Sequence, residues 1–437
     1  MSYQTPPSLE ACPALRTTIY AALLTLTVAC GGGGGGSSAA DPDPTAAPTP
    51  TTSPTPAPGD GGEQPVEGDA ARRAVLSDIG SNIVLPALRD FEQQALALQT
   101  AVAGLAASPG DATAIASARA AWVAAMASWQ RNEVYQVGPA GRSSNPDAVA
   151  GGQDFRDLIY SWPFTLDRCG IEGAALNGSA VTAATPVNQV GLGALEYLLY
   201  TNGPDADCPD APTTAQRAAH AARLADRLVV LASALRQRWE PDDGNFLAQW
   251  SRAGLDSVTY SAPQDALDAL SIALFHVEKV SKDRKTALPT GIPVSGLECS
   301  DPVACPEFLE SPLSQTSGAH LLVNMRAFRD IFTGVDGSMG INDLLIGVGR
   351  QDLADDLITE LDLAIDAMEA IEAGAGFDAA VAAIDDSTEC VNASSNATGL
   401  APCAFHGLIK NAMDIFRAPI VSALGLAIPQ AAAGDND

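Results

Sequence analysis

"IASARAAWVAAMASWQRNE", residues 115–133, decides the fold class. Ile115, Ala118, Trp122, Met126 and Trp129 recur every three or four positions, which lines one face of a helix with apolar side chains. The pattern recurs upstream at Phe91, Ala95, Leu98, Val102 and Leu105, and downstream at Leu224, Leu228, Leu231, Leu235 and Trp239. Leu267, Leu270, Leu274 and Val277 continue it, followed by Leu321, Met325, Phe328 and Phe332. Leu353, Leu357, Leu361, Ala364 and Met368 form another stripe, and Ile409, Met413, Phe416 and Ile420 the last. No run after residue 70 alternates as a half-buried strand would, so the sequence predicts an all-α protein built of helical bundles.

The breaks between stripes divide the chain. Residues 138–186 and 286–316 are long and loop-rich, and residues 241–263 carry no clean period. The expected organisation is an N-terminal bundle over 71–260 and a C-terminal bundle over 261–437. Pro86 and Pro419 fall inside helical patterns, where a missing N–H should kink or break the helix.

Two acids interrupt the apolar faces. Glu133 lies one turn beyond Trp129 on the stripe its own helix buries, and Glu196 is the one charged residue between Val187 and Tyr200. A carboxylate in an apolar face needs a partner. Three are open: a buried arginine, for which Arg119, Arg156 and Arg168 are candidates; a tryptophan or tyrosine donor; or a shared metal ion or cationic ligand, with Glu133 and Glu196 as its oxygen ligands.

The first seventy residues read as an address and a tether. Arg16 precedes a short apolar run that ends "TVAC" at Cys30, which resembles a bacterial lipoprotein signal: residues 1–29 would be removed and Cys30 lipidated. Residues 30–70 are rich in Gly, Pro and Thr, a composition that cannot bury a core and serves as a disordered spacer. The expected location is the periplasmic side of a bacterial membrane, outer membrane by preference, with the protein held by its lipid. Six cysteines remain in the mature chain, and proximity pairs Cys169 with Cys208, Cys299 with Cys305 and Cys390 with Cys403 as loop staples. The 437 residues carry 52 acidic and 24 basic side chains, a formal net charge of −28. That charge repels phosphate backbones and excludes nucleic acid as a partner, while favouring cationic ligands.

The segment "NQVGLGALEYLLY" (188–200) resembles the signature of the imelysin-like family of exported bacterial helical proteins, whose motif is G-x-H-x-x-E. Gly191 and Glu196 take its first and last places, and the histidine falls on Gly193. "SARAAWVAAMASWQRNEVYQVGP" (117–139), "IYSWPFTLD" (159–167), "ESPLSQTS" (310–317) and "GINDLLIGVGRQDLADDL" (340–357) follow the family in order. The resemblance covers residues 71–430 and implies two bundles packed around a shared cleft. It implies Glu133, Trp162, Glu196, Glu310 and Ser314 as cleft residues, and an association with iron acquisition.

These readings give a binding protein linked to uptake of iron or another divalent metal through an acidic cleft, with an uptake-system protein as its partner. The alternatives are a metallopeptidase of the family, or a carrier of a non-metal ligand such as an oligosaccharide. The peptidase alternative lacks an HExxH spacing among His220, His276, His320 and His406, and the chain has no G-x-S-x-G elbow. His320, just after the "ESPLSQTS" loop, is the histidine best placed to approach the cleft.

Overall fold

The computed structural model describes residues 68–429, apart from 145–147, 295, 297–298, 300–302 and 391–398. The signal, Cys30 and the tether up to residue 67 lie outside the described residues. Helices account for the fold, and no strand occurs among the described residues. In chain order the helices are α1 (Asp69–Asp78), α2 (Leu85–Ala107), α3 (Ala112–Glu133), α4 (Phe155–Ile159), α5 (Arg168–Asn177), α6 (Gly191–Tyr200), α7 (Thr214–Trp239) and α8 (Phe246–Ser251). Next come α9 (Pro263–Leu274), α10 (Leu288–Thr290), α11 (Ser317–Thr333), α12 (Ile341–Gly347), α13 (Gln351–Ala373), α14 (Phe377–Ala382), α15 (Ala401–Ile415) and α16 (Val421–Leu424).

Local chemistry sets several of these boundaries. The Asp111 carboxylate accepts from the Ala114 N–H at 2.7 Å and opens α3. Thr213 and Gln216 form a reciprocal capping box at the start of α7. Gly178, with φ 66°, closes α5 in a left-handed conformation. The two prolines sit at widened turns and do not end their helices: Pro86 follows the π-helical stretch Ile79–Val84, and Pro419 lies inside Phe416–Ile420. A longer π-helical segment, Val277–Ala287, joins α9 to α10.

In the first half α2 packs between α3 and α7, and α6 lies against α3 and α7. In the second half α13 packs against α11 and α15, and α15 covers the π-helical segment. The stripes read from the sequence are the buried faces: Phe91, Trp122, Trp129, Leu235, Leu270, Phe328, Leu357 and Phe416 are all enclosed. Each such side chain contributes about 1.5–3 kcal/mol of burial. One apolar core runs from Ala71 to Leu426, and α11 packs on α3 to bring the halves into contact. All three expected disulfides form: Cys169–Cys208, Cys299–Cys305 and Cys390–Cys403. Such bonds persist in an oxidising compartment. Among the described residues, no helix is long and apolar enough to cross a membrane.

Candidate functional site

Where α11 meets α3, both halves contribute to one buried polar cluster. Its frame is set by α6. Trp122 donates its indole N–H to the Leu192 carbonyl at 2.9 Å, and Arg119 Nε donates to the Leu199 carbonyl at 2.8 Å, so α3 grips α6 near both ends. Gly191 opens α6 with φ +74°, and a Cβ there would collide with the Ile159 carbonyl. Only glycine accepts that backbone and that approach, which lets the stretch 159–163 cross the start of α6.

Glu133, at the end of α3, takes two of the three partners open to it. Trp129 donates its indole N–H to Oε1, and Arg156 from α4 donates to Oε2 at 2.9 Å. Arg156 also reaches Asp157 at 3.1 Å; burial would lower the guanidinium's pKa, but Glu133 first and then Asp157 outweigh it and hold the group above its ordinary value.

Glu310 is the centre of the cluster. Its Oε1 accepts from Gln130 Nε2 at 2.8 Å and the Tyr160 hydroxyl at 3.0 Å, and pairs with Lys285 Nζ at 3.0 Å. Its Oε2 stands 3.1 Å from His320 Nδ1. Lys285 donates further to Gln130 Oε1 at 2.7 Å and Asn324 Oδ1 at 2.9 Å. Its ammonium lies 5.8 Å from the centre of the Trp162 ring. Both Lys285 and Glu310 are enclosed, which is tolerable only because each has a full set of partners. Burial alone would raise the Glu310 carboxyl; Lys285 and His320 outweigh it and hold the group well below the usual carboxylate range.

Glu196 is held differently. Ser314 donates its backbone N–H at 3.0 Å and its hydroxyl at 2.7 Å, both to Oε1. Burial pushes this carboxyl up to about 7; the Ser314 hydrogen bonds oppose the rise, and the charges of Glu310 and Asp378 add to it. No cation is among the groups that shift it. Tyr160 lies within the field of all three acids: burial first, then Glu310, Glu196 and Glu133, push its phenol well above the usual value, so it stays a neutral donor.

The five cleft residues expected from the sequence therefore gather around Tyr160 and Lys285. Glu196 meets Ser314 directly, Glu310 and Trp162 meet through Lys285, and Glu133 joins through Arg156, whose guanidinium lies 5.9 Å from the Tyr160 ring centre. His320 enters the cluster as well. Of the candidate arginines, Arg119 holds a carbonyl and Arg168 pairs with Asp205 at 3.3 Å. His220 lies beside Arg223, and burial, then that neighbour, lower its pKa to about 4. Sequence reading missed Lys285, Gln130 and Asn324. The signal was present: Lys285 continues the spacing of Leu274, Val277 and Ser281, a stripe that turns polar without leaving the interior.

A cavity of about 430 Å³ is lined by Arg168, Tyr197, Asn202, Asp205 and Leu313 among others. Tyr197 follows Glu196 and Leu313 precedes Ser314 in sequence, but neither Glu196 nor Ser314 lines this cavity. No group of three or more His, Cys, Asp or Glu that could hold a metal ion occurs among the described residues. Glu133 and Glu310 are committed to Arg156 and Lys285, so these two acids already have their cations.

Comparison with known proteins supports the same architecture. A candidate iron-regulated protein A precursor from Parabacteroides distasonis shares the fold with a TM-score of 0.60 at 18% identity, over 83% of this chain and 98% of that one. An imelysin-like protein from Psychrobacter arcticum gives a TM-score of 0.58 at 15% identity, over the same 83% and 98%. No curated protein sequence matches the chain. The family model Peptidase_M75, described as imelysin, matches residues 84–399, well over half of the chain and including every member of the buried cluster. The chain belongs to the imelysin family.

Proposed function

We propose that this protein is an exported, lipid-anchored binding component of iron acquisition that takes iron as a complex with an organic chelator, at the cleft around Glu196, Ser314 and Trp162. The observation that carries the reading is the state of Glu196. This carboxyl is desolvated and held by one serine, whereas Glu133 and Glu310 are neutralised by fixed cations. A carboxyl in that state is a hydrogen-bonding group for a ligand.

Two features favour a complex over a bare ion. Glu133 and Glu310 already have their cations, and the position of the family histidine is occupied by Gly193. A Cβ there would stand 3.8 Å from Leu166 Cδ1 and 4.0 Å from Tyr160 Cε2, in ordinary contact and without collision. A metallopeptidase needs protein ligands around an open metal position, and that set is not assembled among the described residues. The net charge of −28 favours a neutral or cationic chelate. The iron-regulated designation of the Parabacteroides protein supports the link to iron. The "TVAC" segment at Cys30 supports the lipid anchor.

The reading is tested by titrating the mature protein with an uncharged ferric trihydroxamate complex and, separately, with ferrous sulfate, following tryptophan fluorescence. Saturable quenching by the complex alone is expected. Tight one-to-one binding of ferrous ion, with none of the complex, would overturn it.

A further inference from the structure

The loop before α11 carries two hydroxyls, Ser314 of the proposed cleft and Thr316, which the binding reading does not use. Ser314 and Thr316 flank Gln315, whose φ of +57° is a left-handed conformation that side chains other than glycine rarely adopt. That turn faces both hydroxyls to one another: Ser314 Oγ and Thr316 Oγ1 are 2.8 Å apart. Ser314 Oγ lies 2.7 Å from Glu196 Oε1, and Thr316 Oγ1 lies 3.1 Å from His320 Nε2. His320 Nδ1 lies 3.1 Å from Glu310 Oε2, and Glu310 is in turn fixed by Lys285. An unbroken hydrogen-bonded chain thus runs from Glu196 through two hydroxyls and an imidazole to a buried carboxylate. A hydroxyl within reach of a base, with the base and the hydroxyl both oriented by further groups, is the arrangement of an activated nucleophile.

We propose that Ser314 is a nucleophile and Glu196 its general base, together able to cleave small carboxylic esters that reach the half-buried serine from the exposed surface of its loop. Ser314 Oγ attacks the ester carbonyl carbon while its proton passes to Glu196 Oε1. The tetrahedral adduct collapses, the C–O bond to the alcohol breaks, and Glu196 returns the proton to the departing alkoxide. Water then attacks the acyl-serine, losing its proton to Glu196, and the carboxylic acid leaves as Ser314 recovers its hydrogen. The net change is ester plus water to acid plus alcohol, with no other reactant.

Three features serve this chemistry. Glu196 accepts the Ser314 backbone N–H as well as its hydroxyl, so base and nucleophile are held by two bonds. Ser314 gives its one hydroxyl proton to Glu196, so Thr316 Oγ1–H donates to Ser314 Oγ and accepts from His320 Nε2–H, which makes Thr316 and His320 positioning residues. Leu313 and Gln315 on either side of the serine are exposed, and Leu313 lines the cavity. Burial also sets the Glu196 carboxyl at about 7, where a base is balanced between accepting and returning a proton at neutral pH.

The test is labelling of the mature protein with an alkyl fluorophosphonate, whose phosphorus is attacked by Ser314 Oγ with loss of fluoride. Intact mass and peptide mapping give the site. One adduct on Ser314 is expected, absent in Ser314→Ala, at a rate that rises through about pH 7 as Glu196 ionises. Glu196→Gln should label at least ~10-fold more slowly while melting as a folded protein. Thr316→Val should slow labelling and Thr316→Ser restore it, which a purely structural role would not do. Absence of a Ser314 adduct on folded protein, or equal rates for Glu196→Gln and wild type, would overturn the proposal. Retention of the ferric chelate is scored separately, so the binding reading stands or falls on its own.

Discussion

Ser314 donates its N–H and its hydroxyl to the same oxygen of Glu196, at 3.0 and 2.7 Å, from 118 residues away in the chain. Loop 309–316 is thereby tied to α6 through one carboxyl that burial pushes up to about 7.

That carboxyl makes stability depend on pH in a specific direction. Its folded pKa lies above the ordinary 4.5, so between 4.5 and about 7 the folded state keeps a proton the unfolded state has lost. Stability from this group is therefore full below 4.5, declines at up to about 1.4 kcal/mol per pH unit, and levels off above 7 after losing about 3 kcal/mol. Glu196→Gln removes the dependence. Denaturant melts at pH 4.5 and 7.5 should show the variant gaining about 3 kcal/mol on wild type across that range. A constant difference would contradict the assigned environment.

Lys285→Met should be costly, because it leaves Glu310 charged, enclosed and without its ammonium partner. Loss of about 3–5 kcal/mol is expected. Urea unfolding followed by circular dichroism measures it, and a loss below about 1 kcal/mol would mean the pair is not formed.

Gly191 and Gly193, two residues apart at the start of α6, should behave oppositely. Gly191→Ala meets the Ile159 carbonyl at φ +74°, and a loss of about 2–4 kcal/mol is expected. Gly193→Ala has room, and should change stability by less than about 1 kcal/mol. Thermal melts of the two variants side by side decide this.

How much of this was legible follows from the chemistry of each residue. Apolar stripes such as Ile115 to Trp129 announce a helix because burial and a 3.6-residue period act on the same positions. Glu133 and Glu196 stood out because a charge in an apolar face must be satisfied. Lys285 did not, because "EKVSKDRKT" (278–286) reads as a solvated face. Its burial depends on the wider π-helical turn of Val277–Ala287 and on acceptors from α3 and α11, which are distant in sequence. Arg156 was one of three equivalent candidates for Glu133; only the position of α4 against the end of α3 selects it. The disulfides were readable because each joins neighbours in a loop-rich stretch.

Cys30→Ser should move the protein from the membrane fraction to the soluble fraction without altering its melting temperature, since residues 30–70 are rich in Gly, Pro and Thr, a composition that cannot bury a core. Fractionation in high salt checks it. Protein still sedimenting with membranes would contradict lipid anchoring at this cysteine.

The central claim is that the Glu196–Ser314 cleft takes chelated iron and not the bare ion. Equilibrium dialysis at pH 7.5 against an uncharged ferric trihydroxamate complex, with iron and protein quantified in the same chamber, tests it most directly. The account predicts one equivalent of iron retained by wild type, with affinity at least ~10-fold lower in Glu196→Gln that melts normally. Equal retention by the two proteins, or retention of ferrous ion but not of the complex, would contradict it.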